Sequence, residues 1–214
     1  MTIAPRGFTL IELLVALFIT AILFAMGYGA INQAVNHRGA IEDQQARLLV
    51  VQTTMRVLSQ DFGQLAPRPI RDPVGDTWQP ALIAKGASQG QAQDQVLVTF
   101  TRTGWANPAG IQRPALQRVA YVFDKDKLRR DYWPVLDATL ANKITHRDLL
   151  TNVKSVAFRY MDSSRQWAEQ WPPQNVPVNP SDPGSTLRTN PMAVEVTIEL
   201  QDWGKIVRVF EAPQ

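Results

Sequence analysis

Between Leu13 and Ala30 the chain carries no charged side chain for 18 residues, and that run limits what its N-terminal part can be. Its only clearly polar side chain is Thr20, with the amphipathic Tyr28 near the far end. Extending the run to Phe8–Ile31 gives 24 residues with a single charge, Glu12. At 1.5 Å of rise per residue, a helix of that length covers about 36 Å, enough to cross a hydrocarbon core of about 30 Å. The run predicts a membrane anchor. A cleaved secretory signal is the alternative reading, but its apolar part usually has about 7–15 residues and ends in a small-residue cleavage site. Here the run is longer and closes on Gly27-Tyr28-Gly29-Ala30-Ile31-Asn32, with no A-x-A-like site.

Glu12 interrupts this pattern. A carboxylate at the centre of a bilayer costs about 2.5–3.5 kcal/mol on insertion scales. Near the start of the run, snorkelling to the interface reduces that cost. Two readings follow: an interfacial Glu without a role, or an acid that meets a cation on another chain inside the membrane. A free α-amino group is one such cation, and proteolysis just before Phe8 would create it.

The segment Arg6-Gly7-Phe8-Thr9-Leu10-Ile11-Glu12 resembles the type IV prepilin leader junction shared by pilins and type II secretion pseudopilins. The resemblance implies that a peptidase of the inner membrane cuts after Gly7 and that the same enzyme methylates the new N-terminal Phe8. It also implies that Glu12 is the carboxylate that supports filament assembly. Gly7 suits the cut, since a residue without Cβ leaves the scissile backbone accessible. The positive-inside rule is nearly silent here, because Arg6 flanks one end of the run and His37 and Arg38 the other. The resemblance itself places the leader in the cytoplasm and the remainder in the periplasm. The implied division is a leader at 1–7, a transmembrane or filament-core helix at 8–31, and a periplasmic head at 32–214.

Composition narrows the function of that head. The chain has 22 Lys plus Arg against 19 Asp plus Glu, a formal charge of +3 over 214 residues. That is no basic stripe, and no nucleic-acid partner is expected. Zero Cys excludes disulfides, a thiol nucleophile, Fe–S ligation and a Cys-based zinc site. His37 and His146 belong to no metal-ligand spacing, and no nucleophile-elbow, Walker A or Rossmann fingerprint occurs. Asp124-Lys125-Asp126 and the Asp72–Asp76 stretch could suggest calcium, but the Lys residues of the turn and the missing EF-hand pattern favour solvated turns. No cofactor, no metal and no catalytic residue is expected. The chain reads as a substrate of cleavage and methylation, not as an enzyme.

Beyond the anchor, Ile41, Leu48, Val51, Met55, Leu58, Phe62 and Leu65 recur at helical spacing, predicting an amphipathic helix to about residue 65. Gly63, Pro67 and Pro69 stop it. The stripe is expected to pack on the chain's own sheet, with a partner-binding helix as the alternative. Gly27, Gly29 and Gly39 are the expected places for the long helix to bend or melt. Residues 68–95 read as a Pro- and Gly-rich linker. Strands are expected at Gln95–Thr101, Val119–Phe123, Leu128–Trp133 and Val153–Tyr160, with a turn at Asp124–Lys127. Residues 192–200 alternate strictly, a strand with one buried and one wet face, and Asp202-Trp203-Gly204 turns it into Lys205–Phe210. Pro172–Pro191 holds six Pro and reads as a long exposed loop.

One long helix followed by strands gives an α+β class. It resembles the type IV pilin-like architecture, in which the N-terminal helix spans the membrane with its first half and packs its second half on antiparallel sheet. The texture of Leu149–Val153, Phe158-Arg159-Tyr160, Trp167, Trp171-Pro172, Ala193–Val196 and Asp202-Trp203-Gly204 resembles the minor pseudopilin J family of type II secretion. Length sets the chain apart from the shorter I subunits, and Glu12 sets it apart from K. The resemblance implies a ternary tip complex with minor pseudopilins I and K, contact with the other pseudopilins of the filament, and support of export of folded proteins across the outer membrane. Trp167 and Trp171, beside the Pro-rich loop, are candidate anchors for those partners, or else core residues. The rival readings are a minor pilin of a type IV pilus and, in another class, a membrane-anchored periplasmic enzyme.

Overall fold

The computed structural model describes residues 8–72, 77–85, 88–89, 94–105, 110, 115–137, 143–173, 181–182 and 184–213. The leader 1–7, the acidic stretch 73–76 and residues 174–180 of the Pro-rich loop lie outside the described residues, as does the side chain of His37. Two compact units divide the chain, Met1–Leu49 and Val50–Gln214.

Helix α1 runs without interruption from Leu10 to Phe62. Gly27, Gly29 and Gly39 do not break it. An isolated Gly costs about 1 kcal/mol against Ala, less than a cooperative helix of many turns loses by opening. In the first unit its side chains are almost all exposed. Leu10–Gln33 is long and apolar enough to cross a membrane, and none of it is buried against protein.

The helical stripe divides between the units. Contrary to expectation, Ile41 and Leu48 are 52% and 40% exposed and do not belong to the buried core. From Val51 onward the stripe behaves as its spacing predicts: Val51, Leu58 and Phe62 are buried, with Met55 packed against the same core. The helix stops where Gly63 donates its N–H to Ser59 O at 2.9 Å, and Leu65 then bridges to Arg102.

The second unit is otherwise β structure. Its strands are β1 (Ile70–Arg71), β2 (Trp78–Gln79), β3 (Leu82–Lys85), β4 (Ser88–Gln89), β5 (Gln95–Arg102), β6 (Gln117–Asp124), β7 (Lys127–Tyr132) and β8 (Thr145–Leu150). Then follow β9 (Val153–Met161), β10 (Trp167–Ala168), β11 (Gln170–Trp171), β12 (Ala193–Leu200) and β13 (Gly204–Glu211). A six-stranded sheet has the order β11-β3-β5-β6-β7-β8, and a five-stranded one the order β10-β9-β12-β13 with β4 also paired to β9. β1 and β2 form a small ribbon, and every pairing is antiparallel.

Phe62 joins the two large sheets. Its ring lies 5.2 Å from Phe100 and 6.0 Å from Tyr121 in one, and 5.9 Å from Phe158 and 6.0 Å from Phe210 in the other. In β12 the alternation holds from Val194 onward, with Val194, Val196, Ile198 and Leu200 buried and Glu195, Thr197 and Glu199 half-buried, but Ala193, expected on the wet face, is buried too.

Two organisational expectations are corrected. Residues 68–95 are not a linker, since β3 sits inside the six-stranded sheet with Leu82 and Ala84 buried. Flanking Pro and Gly hide that short alternation. The far end of the Pro-rich loop is not free either. Thr186–Arg188 form a 3-10 turn, Leu187 O accepts the Ala81 N–H at 2.8 Å, and Pro191 is buried. That carbonyl satisfies a backbone donor at the sheet's margin, which an exposed loop would leave to water.

Candidate functional site

The helix start organises itself through its own side chains. Gly7 lies outside the described residues, and Phe8 is 82% exposed. Thr9 precedes the first helical residue, so its N–H and those of the first turn have no partner within the helix. Glu12 Oε2 accepts the Thr9 N–H and the Thr9 hydroxyl, both at 3.0 Å. In return Thr9 Oγ1 accepts the Glu12 N–H at 3.4 Å. This is a capping box, in which two orphan donors are satisfied reciprocally. The signal, Thr9-x-x-Glu12 ahead of an apolar run, stands in the sequence. Both capping bonds fall on Oε2. Among the described residues Oε1 has no donor, so the cap leaves one oxygen for a cation from elsewhere.

From Leu13 to Gly27 the helix presents an apolar surface. Leu13, Leu17, Phe18, Leu23 and Phe24 are all more than half exposed. Thr20, the one polar interruption, donates its hydroxyl to Ala16 O at 2.7 Å and so needs no outside partner. Such a surface needs lipid or other apolar helices around it.

In the second unit a buried polar centre sits where α1 ends. Asp61 has no exposed surface. Arg130 donates to both of its oxygens, Nε to Oδ2 at 2.6 Å and Nη2 to Oδ1 at 3.1 Å. Tyr121 donates its hydroxyl to Oδ2 at 2.7 Å, and Arg102 pairs with Oδ1 and with Gln64. Burial lowers the Arg130 guanidinium pKa, but the hydrogen bonds and charge of Asp61 outweigh it, and the net shift is upward. Burial, followed by the Asp61 charge, raises the Tyr121 hydroxyl well above its ordinary value. Sequence reasoning missed this centre, because Asp61 reads as one polar position beside the stripe and its partners come from distant strands.

The tryptophans separate. Trp171 is 2% exposed, donates Nε1–H to Thr189 O at 3.0 Å and packs on Tyr160 with ring centroids 6.2 Å apart. It is a core residue and not a partner anchor. Trp167 is half-buried beneath the Arg159 guanidinium, 5.5 Å from its ring centroid. Trp203, at the β12–β13 turn, is 42% exposed, and Val207 and Val209 of β13 are 46% and 54% exposed. β13 and its turn thus present exposed apolar side chains.

Comparison with known proteins agrees with this geometry over nearly the whole chain. The family described as Type II secretion system (T2SS), protein J, matches residues 29–212, and the prokaryotic N-terminal methylation motif matches residues 4–28. The type II secretion system protein J of Escherichia coli is 33% identical, with 95% of this chain and 94% of that protein covered. The protein of the same name from Vibrio cholerae serotype O1 is 30% identical, with 95% and 86% covered. Among solved structures, a chain of the GspK–GspI–GspJ complex of the enterotoxigenic Escherichia coli type 2 secretion system is 29% identical. It superimposes with a TM-score of 0.61 over 78% of this chain and 99% of that one. With its apolar helix of spanning length and the methylation motif at its start, the protein is membrane-anchored and single-pass. By the match over 29–212 and the relatives' identity, the chain belongs to the type II secretion system protein J family.

Proposed function

We propose that this chain is a minor pseudopilin of the type II secretion pseudopilus, a structural subunit that joins minor pseudopilins I and K in the complex at the filament tip. The observation that carries this reading is kinship along the entire head with protein J relatives, one of which lies within a solved K–I–J complex. Export of folded proteins across the outer membrane follows as the role of the assembled filament. The subunit is a scaffold and not a catalyst, in which a buried polar centre ties a helix to a sheet.

In this reading residues 1–7 are a cytoplasmic leader removed after Gly7, and Phe8 becomes the N-methylated mature terminus. Residues 8–31 cross the inner membrane, and the head from 32 onward lies in the periplasm. The prepilin peptidase acts on the chain as its processing enzyme. Glu12 meets the terminal amine of a neighbouring subunit through the oxygen its own cap leaves open. A carboxylate paired this way in lipid favours one register of helix association over others, because an unpaired one is costly. The apolar face of β13, with Trp203 at its turn, supports contact with the I and K heads.

Affinity purification from detergent-solubilised membranes, with the full chain tagged and its own I and K subunits co-expressed, tests the reading. Recovery of both in near-equal amounts supports it. Recovery of neither contradicts it.

A further inference from the structure

The head carries a cleft of about 610 Å³, lined by the last turns of α1, by Arg102 and Trp105, and by the β7–β8 margin of the six-stranded sheet. β8 ends that sheet: among the described residues it pairs with β7 alone. Thr145, His146, Arg147 and Asp148 are exposed, whereas Leu149 and Leu150 are buried. The helix covers only the buried end of this edge, where the Thr54 hydroxyl donates to Leu149 O at 2.9 Å. An open edge of this kind presents backbone donors and acceptors to any extended chain.

Side-chain parity loads the open part of the edge with positive charge. Arg147 stands directly opposite Arg130, and Thr145 opposite Tyr132, so these residues share the face that carries Asp61's partner. His146 stands opposite Asp131 and takes the other face, with its Nδ1 2.8 Å from Asp131 Oδ1. Three guanidinium groups, Arg102, Arg130 and Arg147, line the cleft, and among its described lining residues the one carboxylate is Asp61, which pairs with Arg102 and Arg130. Asp61 compensates one of the three. Like charges directly opposite on neighbouring strands are unfavourable, and Arg147 has no ion pair among the described residues to relieve it. Trp105 and Tyr132, edge-to-face at 6.5 Å, form an aromatic wall beside this charge.

We propose that this cleft binds an extended acidic segment of another protein, which adds to β8 as a further strand and places a carboxylate between Arg130 and Arg147. An added strand satisfies the open edge by main-chain hydrogen bonds, and alternate side chains select the sequence. Every second residue then faces the cleft, where a carboxylate meets the uncompensated guanidinium charge and an apolar neighbour meets Trp105 and Tyr132. A compact polyanion fits less well, because Asp61 at the cleft floor repels it and it uses none of the edge. The inference does not depend on the pseudopilin reading.

The test titrates the full chain in zwitterionic detergent micelles with a fluorescent, end-capped heptapeptide alternating valine and glutamate. Binding at least about tenfold tighter than that of the valine–glutamine peptide is expected, with a loss of about tenfold in Arg147→Glu and a smaller loss in Arg147→Gln. A peptide N-methylated along its backbone is expected not to bind. Since Arg147 is exposed, both variants should keep the wild-type circular dichroism, and Arg147→Gln carries the test if the charge reversal does not fold. Equal binding of the glutamate and glutamine peptides, indifference to both Arg147 variants, or full binding of the N-methylated peptide would each overturn the proposal. Displacement of the peptide by an equal concentration of inorganic phosphate would overturn it too, leaving a plain anion site. A wild-type chain that binds the peptide but recovers neither I nor K removes the pseudopilin reading and leaves this one standing.

Discussion

Asp61 and Arg130 lie 69 residues apart in the chain, yet they form a two-pronged ion pair that fastens the last turn of α1 to β7. Both are largely buried, so each neutralises a charge that would otherwise be stranded. Removing one partner of such a pair costs about 3–5 kcal/mol. Asp61→Ala should therefore lower the unfolding free energy by about that amount, and Arg130→Met by a similar amount, as measured by urea titration of tryptophan fluorescence. The double variant Asp61→Ala, Arg130→Met should lose clearly less than the sum of the two. Additive losses would mean that the pair is not a unit.

Arg118 presents the opposite situation. It is 2% exposed, and its Nη1 donates to Ala81 O at 2.7 Å and Thr101 Oγ1 at 3.1 Å. Among the described residues its Nε and Nη2 have no hydrogen-bond partner, and it forms no ion pair. Burial pushes the guanidinium down to about 9, so it remains charged at neutral pH. A buried cation with no opposite charge beside it bears a desolvation cost that an apolar side chain of similar volume does not. Ala81 O also accepts the Thr101 N–H at 2.8 Å, and the Thr101 hydroxyl donates to Arg68 O, so neither is orphaned by the change. Arg118→Met should raise the denaturation midpoint. A lowered midpoint would show that the guanidinium contributes more through its two bonds than burial takes away.

Alkaline pH should reveal the buried tyrosines. Burial raises both Tyr121 and Tyr160 well above the ordinary tyrosine value, with the Asp61 charge adding to the effect on Tyr121. A group whose pKa is raised on folding contributes stability that is fully present below its unfolded value of about 10 and is lost as pH climbs toward the folded one. Stability should hold up to about pH 10 and fall beyond it. Tyrosinate absorbance should rise in a late step that coincides with unfolding, and Tyr121→Phe should remove about half of that step. A single early rise before unfolding would contradict this.

How much of this was legible in the sequence depends on the range of the interaction. The anchor, the β12 alternation and the turn at Lys125–Asp126 are local patterns, and each appears where its residues place it. β3 and β8 were not legible. One is a short alternation between Pro80 and Gly86, and the other is an edge strand whose Thr145–Asp148 segment is polar because water covers it. The Asp61 centre draws on a helix and three strands, so no window of sequence holds it. Trp171 was ambiguous for a different reason: only the fold decides whether its indole N–H finds Thr189 or solvent.

Two substitutions at Glu12 separate its cap from its charge. Glutamine can replace glutamate in a capping box, so Glu12→Gln keeps the helix start but removes the charge, while Glu12→Ala removes both. If the charge pairs with a neighbour's amine, both variants should fail to enter the tip complex in a co-purification assay, and Thr9→Ala should enter it with little loss. Entry of Glu12→Gln at the wild-type level would assign the residue to capping alone.

Intact-mass spectrometry of the chain isolated from its native membrane addresses the N-terminal account most directly. A mature subunit that begins at Phe8 and carries the added mass of one methyl group is the predicted species. A chain that retains Met1, or one cut beyond the apolar helix, would contradict it.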